Sequence, residues 1–272
     1  MKADFFYKSV PGRSFLKVCQ KSGAFRVAAW ALRTPPSRRL IPRYIRRNGI
    51  DMTPYAGQHY RSYAEFFARS KEVKAPVCDP EELISPCDGL LSVYPVTRQM
   101  DIPMKGSRYR LADLLPATEL AAGGFCGGLC LVFRLEASDY HHFCCFDDAL
   151  LLERGYIPGQ LHSVQPIACD RVPVYRLNRR WWSLLETRHF GLAAQIEVGA
   201  MLVGGVRLAG QERAFRKGEE MGHFELAGST VLLLLGPEVR RRLDFFEAYS
   251  GALEGQEIRV RMGEALGRLR DD

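Results

Sequence analysis

Gly218-Glu219-Glu220-Met221-Gly222-His223-Phe224-Glu225-Leu226-Ala227-Gly228-Ser229-Thr230-Val231-Leu232-Leu233-Leu234-Leu235 is the stretch on which the reading of this chain turns. From Thr230 onward, two β-branched residues and an unbroken aliphatic run predict a strand buried on both faces. Gly228, just before Ser229, carries no side chain and tolerates unusual backbone angles. A serine at such a tight entry to a buried strand can direct its hydroxyl at the carbonyl of the residue before it. A turn glycine followed by a strand is the plainer account of the same residues, because motifs this short recur by chance.

Around this stretch the composition allows one large domain. The chain has 272 residues, 47% of them apolar, enough to bury a sizeable core. The net charge of +7 is unevenly distributed: residues 1–50 hold twelve Lys or Arg and one acid, +11, and the remainder is −4. A one-signed basic head suits a polyanion, either a membrane surface or nucleic acid. No recognisable nucleic-acid module accompanies the charge, so an anionic membrane is the expected partner and nucleic acid is not. The eight cysteines contain no Cys-x-x-Cys pair, which points to a reducing compartment. No apolar run approaches the length of a membrane span, and charges interrupt every candidate signal-peptide core. The protein is expected to lie on a membrane without crossing it.

The chain then divides by texture. Ser14–Arg33 predicts a helix weakened at Gly23 and stopped by Pro35-Pro36, and Leu40, Ile41, Tyr44 and Ile45 predict a second, with Pro42 in its first turn and Gly49 at its end. Both mix basic residues with aromatic and aliphatic ones, as interfacial helices do; a helical cap with a solvated basic side fits the same pattern. Ser62-Tyr63-Ala64-Glu65 reads as a capping box. Beyond Lys71 short apolar runs alternate with Gly, Pro and Asp: Leu90–Val96, Leu129–Leu135, Val174–Leu177, Gln195–Val198, Met201–Leu208, Thr230–Leu235 and Ile258–Met262. The fold class expected is α+β: basic amphipathic helices over 1–50, then a β-rich single domain over 51–272.

Two further clusters carry possible chemistry. Ser85-Pro86-Cys87-Asp88-Gly89 is a turn leading into a strand, and Asp-Gly is ordinary turn chemistry. In Asp139-Tyr140-His141-His142-Phe143-Cys144-Cys145, an extended backbone sends His141, Phe143 and Cys145 one way and His142 and Cys144 the other. That separation argues against a zinc site, which needs converging donors, and no metal is expected. It also argues against a Cys-His nucleophile. A satisfied structural role is expected for His162 and His223.

Lys217–Leu234 resembles the C-terminal motif of the phosphatidylserine decarboxylases, in which Lys-Gly-x-Glu-x-Gly-x-Phe leads into Gly-Ser-Thr. Phe66-Phe67-Ala68-Arg69, Ser85–Gly89, Asp139-Tyr140-His141, Gly159–Val164, and Val198-Gly199-Ala200 with Val203-Gly204 resemble further blocks of that family, in its order. The resemblance implies a proenzyme that cuts itself between Gly228 and Ser229 into a β chain, 1–228, and an α chain, 229–272, which remain associated. Ser229 would become a pyruvoyl cofactor, the carbonyl that forms a Schiff base with the amine of phosphatidylserine and accepts electrons as carboxylate leaves. It implies Asp88, His141 and Ser229 as the catalytic set, with Asp88 orienting the histidine as in a hydrolase triad. Many family members carry Tyr-His-x-x-His, and here Cys144 takes the place of the second histidine. The maturation base is therefore open among His141, His142 and Cys144, with His141 favoured. Asn178 and Arg180, in a stretch similar to a family Asn-Glu-Arg element, are candidate contacts for phosphate or carboxylate, and join His142 and Cys144 as accessory candidates. The implied setting is the cytoplasmic face of the cell membrane, with homodimer formation left open. A decarboxylase of a related amino-acid lipid or a soluble amino acid, or a non-catalytic membrane-binding homologue, are the competing readings.

Overall fold

In the computed structural model, residues 3–72, 78–99, 101–104, 107–116, 124–200, 205–210, 212–226 and 229–270 are described. Ala227, Gly228, Val203 and Gly204 lie outside them. The basic head folds as helices α1 (Ala3–Lys8), α2 (Val10–Lys21), α3 (Ala24–Leu32) and α4 (Ile41–Asn48). Ser9 caps α2, its hydroxyl accepting from the Gly12 amide at 3.0 Å. The single helix expected over Ser14–Arg33 is two helices. Gly23 sits at φ 73°, a left-handed turn only glycine adopts without strain, and it separates α2 from α3. Pro42 occupies the first turn of α4 and Gly49 closes it at φ 61°.

This head is tied to the body but not smoothed over. Tyr7 is buried and its hydroxyl accepts from the Ser163 amide at 2.8 Å, while Phe15, Val18, Val27, Trp30 and Leu40 stay exposed. Among the described residues no helix is long and apolar enough to cross a membrane. A short helix α5 (Tyr63–Phe67) follows, capped by Ser62 as expected, with Phe66 and Phe67 buried.

The body is sheet. Its strands are β1 (Glu82–Ile84), β2 (Gly89–Pro95), β3 (Asp101–Met104), β4 (Ser107–Arg110), β5 (Leu129–Leu135), β6 (His142–Cys144), β7 (Ala149–Ile157), β8 (Arg180–Thr187), β9 (Gly191–Val198), β10 (Val206–Leu208), β11 (Ala214–Phe215), β12 (Glu220–Phe224), β13 (Ser229–Leu235), β14 (Leu243–Phe245), β15 (Ile258–Val260) and β16 (Ala265–Leu269). Eight form one antiparallel sheet in the order β11-β7-β8-β9-β13-β5-β2-β15. Smaller sheets β10-β12-β6 and β1-β16-β14, and the hairpin β3-β4, pack around it.

The aliphatic run thus becomes an interior strand, β13, with all seven residues buried. Side chains alternate across a strand, so Val231, Leu233 and Leu235 enter one core and Leu232 and Leu234 the other. Each such burial contributes about 1.5–3 kcal/mol. Ser229 shares the face of Val231. One expectation is corrected: Val174–Leu177 is a single helical turn, not a strand. The Pro173 carbonyl accepts from the Leu177 amide at 3.0 Å, which closes the turn.

Candidate active site

Ser229 stands opposite Leu135, the last residue of β5. The chain after Leu135 must turn back immediately, and it does so through Glu136–Asp139: the Asp139 carboxylate accepts from the Glu136 amide at 2.7 Å, and the Asp139 amide donates to the Glu136 carbonyl at 3.1 Å. Two residues later His141 hangs over the start of β13. Its Nδ1 is 3.2 Å from Ser229 Oγ and its Nε2 is 3.0 Å from the Glu136 carbonyl oxygen. A carbonyl only accepts, so Nε2 carries the ring proton and Nδ1 presents a lone pair to the serine hydroxyl. Both residues are fully buried. Burial, then the Arg69 charge, pushes the imidazole pKa down to about 3, leaving a neutral base beside a hydroxyl. Phe67 lies 4.2 Å from the His141 ring, centre to centre, and backs it.

Asp88 acts at one remove. Its carboxylate accepts from the Tyr140 amide at 3.2 Å and the Met262 amide at 2.9 Å, so it grips the backbone beside His141. The triad-like contact expected between carboxylate and imidazole is absent, because the Glu136 carbonyl already occupies Nε2. Arg69, which the sequence reading placed in a block without a role, is buried and donates from Nη2 to the carbonyls of Ser138 and Asp139 at 3.2 and 3.0 Å. Its guanidinium lies over the Tyr55 and Phe66 rings. Arg259 holds the same turn from outside, through Asp139 at 2.8 Å and Glu136.

The alternative bases point elsewhere. Cys144 is fully buried, its thiol 3.9 Å from the Ser85 carbonyl, and burial pushes its pKa far above the ordinary thiol range. It cannot become a thiolate near neutrality. His142 faces the opposite side of β6, toward Glu220.

Asn178 and Arg180 are corrected as anion contacts. Asn178 accepts from the His162 amide and donates to the carbonyls of His162 and Gly199. Arg180 spends its nitrogens on the carbonyls of Leu114, Arg176, Asn178 and Asp113. Both are buried: Asn178 gives its two amide hydrogens to carbonyls, and Arg180 gives four of its five N–H groups to the backbone. His162 has its ring hydrogen-bonded, with Nε2 2.8 Å from Gln160 Oε1.

Two features had no sequence signal. Glu197, on β9, lies opposite Val231 and is wholly buried, with Gln195 donating to Oε1 at 3.2 Å. Burial pushes its pKa up to about 8. A third small core joins Ala29 of α3, Phe67 of α5 and Leu226, next to the undescribed 227–228. Beside it opens an apolar cavity of about 270 Å³, lined by Leu32, Leu40, Tyr44, Tyr63 and Leu226 and edged by Arg43 and Arg47.

The family model for phosphatidylserine decarboxylase matches residues 63–268. The phosphatidylserine decarboxylase proenzyme 2 of Clostridium acetobutylicum is 36% identical over 270 residues, covering 98% of this chain and 91% of that one. The phosphatidylserine decarboxylase proenzymes of Clostridium perfringens and Ruminiclostridium cellulolyticum are 33% and 34% identical, covering 96% and 86% of this chain and 90% and 80% of theirs.

Proposed function

Since the chain belongs to the phosphatidylserine decarboxylase family, we propose that it cuts itself before Ser229 and then decarboxylates phosphatidylserine to phosphatidylethanolamine at an anionic membrane surface. The observation that carries this reading is the buried pair of Ser229 Oγ and His141 Nδ1, 3.2 Å apart, with the other ring nitrogen held by a carbonyl.

In the self-cleavage step His141 Nδ1 takes the hydroxyl proton, and Ser229 Oγ attacks the Gly228 carbonyl carbon. The peptide C–N bond breaks as the C–O bond forms. The proton on His141 passes to the departing amine, and residues 1–228 are left as an ester on the serine side chain. β-Elimination, with loss of the Ser229 Cα proton, then releases the carboxylate of residue 228 and leaves a dehydroalanine, whose imine tautomer takes up one water and loses its nitrogen as ammonia to give the pyruvoyl group. A residue fit to become a pyruvoyl group must be a serine at a chain break, shielded from stray water and within reach of a proton carrier. Ser229 is fully buried and has His141 beside it. The pyruvoyl carbonyl supplies the electron sink for the pair left when the substrate carboxylate departs. His141 stays in place to return a proton, and Arg69 adds positive charge beside it. Asp88 acts as a positioning residue through the Tyr140 amide.

The basic head supports a lipid substrate. Residues 1–50 carry +11 and leave Phe15, Val18, Val27 and Trp30 exposed, a combination suited to anionic headgroups and their interface. The cavity lined by Leu40, Tyr44 and Leu226 suits an acyl chain, and Arg43 and Arg47 at its edge offer positive charge to a lipid phosphate. In this arrangement the protein sits peripherally on the membrane, and Phe67 links the head to His141.

The test is intact mass on purified protein. The wild type should resolve into a 228-residue and a 44-residue chain, the latter without a free amine, while Ser229→Ala stays at 272 residues and forms no phosphatidylethanolamine from phosphatidylserine vesicles. Wild type that stays whole yet decarboxylates the lipid would overturn the pyruvoyl reading.

A further inference from the structure

β12 and β6 lie side by side with His223 directly opposite His142. In a regular strand Glu220, three residues before His223, would face the other way. The pairing is irregular between Glu220 and Gly222, and this bulge re-phases the strand so that Glu220 joins the two histidines on one face. Gly222 makes the bulge possible: its φ is 156°, and a Cβ there would lie 2.3 Å from the Arg207 carbonyl oxygen.

The result is three donors in one place. Glu220 Oε1 lies 2.9 Å from His142 Nδ1 and 3.9 Å from His223 Nδ1, and one atom from each residue falls within 4.8 Å of the others. His142 is held from its far side, with Nε2 3.3 Å from the Ala68 carbonyl oxygen and its ring stacked on Tyr140 at 4.3 Å and 2°. Both ring nitrogens thus face acceptors, and with the single proton of a neutral ring on Nε2, Nδ1 turns a lone pair toward the carboxylate oxygen. The side chain is 4% exposed and Nδ1 makes no hydrogen bond. Two facing acceptors repel unless something positive lies between them. Metal-binding histidines commonly donate their second nitrogen to a backbone carbonyl in this way.

We propose that His142, Glu220 and His223 form a binding site for a divalent transition-metal ion of the zinc type, on the face of β6 turned away from Ser229. Two imidazoles and one carboxylate are a donor set that zinc accepts. Ligand atoms about 2.0–2.2 Å from zinc stand about 3.3 Å apart at a tetrahedral angle. His223 and Glu220, 24% and 42% exposed, are free to swing the small remaining distance, while His142 is fixed. Their exposure also leaves the fourth position open to water. The site clamps together the strand that follows His141 and the strand that leads to Ser229.

The experiment is titration of the full-length, chelator-treated protein with zinc by calorimetry and with cobalt(II) by visible absorption. The expected result is one ion per chain and the ligand-field bands of a four-coordinate nitrogen–oxygen site. Loss of a direct ligand should cost at least the 10–100-fold in affinity seen for outer-shell partners, so His223→Ala and Glu220→Gln should each weaken binding by about 100-fold or more. Both residues are partly exposed, which keeps the fold intact if the buried His142→Ala variant does not fold. A thiolate-to-cobalt charge-transfer band would put the ion on cysteines and overturn the proposal. So would affinity unchanged in both variants, or no stoichiometric binding. A His142 ring protonated on both nitrogens by NMR in zinc-saturated protein would identify an imidazolium–carboxylate pair and reject the metal.

Discussion

Replacing His141 by alanine removes the one acceptor placed on the Ser229 hydroxyl among the described residues. A positioned base contributes about 10²–10⁴-fold, which corresponds to about 3–5 kcal/mol of barrier. The surroundings offer little to recover that loss. Cys144 keeps its proton, since burial holds its thiol far above neutrality, and its sulfur addresses the Ser85 carbonyl. His142 faces Glu220 across the strand. Water is a poor substitute, because Ser229 has no exposed surface. His141→Ala should therefore convert complete maturation into a trace over the same period, whereas His142→Ala and Cys144→Ala should still cleave. The assay is a time course of chain separation on denaturing gels, with circular dichroism to establish that each variant is folded. Cleavage of His141→Ala at close to the wild-type rate, alongside a stalled Cys144→Ala whose parent rate climbs with pH, would refute the reasoning and pass the role to the thiol.

Asp88→Asn keeps one backbone acceptor and turns an NH₂ group toward the other amide, losing about 1–3 kcal/mol of hydrogen bonding. If half of that is felt at His141, cleavage slows by about two- to tenfold, and an unchanged time course would remove Asp88 from the positioning role. Glu197 should make stability fall with pH. Its folded pKa of about 8 lies above the ordinary 4.5, so below 4.5 both states hold the proton, and between the two values the unfolded chain releases it while the fold retains it. Each unit is worth about 1.4 kcal/mol, and Glu197→Gln should gain a few kcal/mol over wild type in urea unfolding at pH 9 that it lacks at pH 4; an equal gain at both would contradict the assignment. Arg38, Arg39, Arg43, Arg46 and Arg47 are exposed, and at about 1 kcal/mol per surface-proximal charge their replacement by glutamine should weaken sedimentation with anionic vesicles by several orders of magnitude at low salt. Binding that ignores both the substitutions and added salt would argue against an electrostatic membrane contact.

The sequence disclosed those parts of the molecule whose physics is local. Thr230–Leu235 reads as a buried strand because its β-branched and aliphatic run suits no surface, and Gly49, Pro42 and Ser62 mark helix ends by backbone angle or by a capping hydroxyl. The split of the first helix at Gly23 was visible as a weakness but not as a break, since only the left-handed angle in the folded chain decides it. Val174–Leu177 misled because four residues carry no usable period. At the site, the family resemblance implied the pairing of His141 with Ser229, but the group that holds the ring was not legible: nothing local announces that the Glu136 carbonyl, rather than Asp88, does so. Asn178 and Arg180 looked like anion binders because their polar groups are identical whether they meet phosphate or backbone. Glu197 and the face shared by His142, Glu220 and His223 depend on strand pairing and a bulge, which no run of residues displays.

The interior place of β13 sets the order of events in the life of this molecule. Its seven residues pair with β5 on one side and six of them with β9 on the other. A break before Ser229 would leave that strand as the first segment of a separate 44-residue chain, threaded through the middle of a sheet built by its former upstream half. Such a strand has no ready place on a sheet formed without it, because the two edges it fills are held apart by the strand itself. Folding must then come before cutting. Once cut, the two pieces would carry a structure that neither could rebuild alone, and after unfolding their reunion would depend on concentration rather than on chain connectivity. A break at residue 229 would make the mature protein durable while folded and, once opened, dependent on its two pieces meeting again.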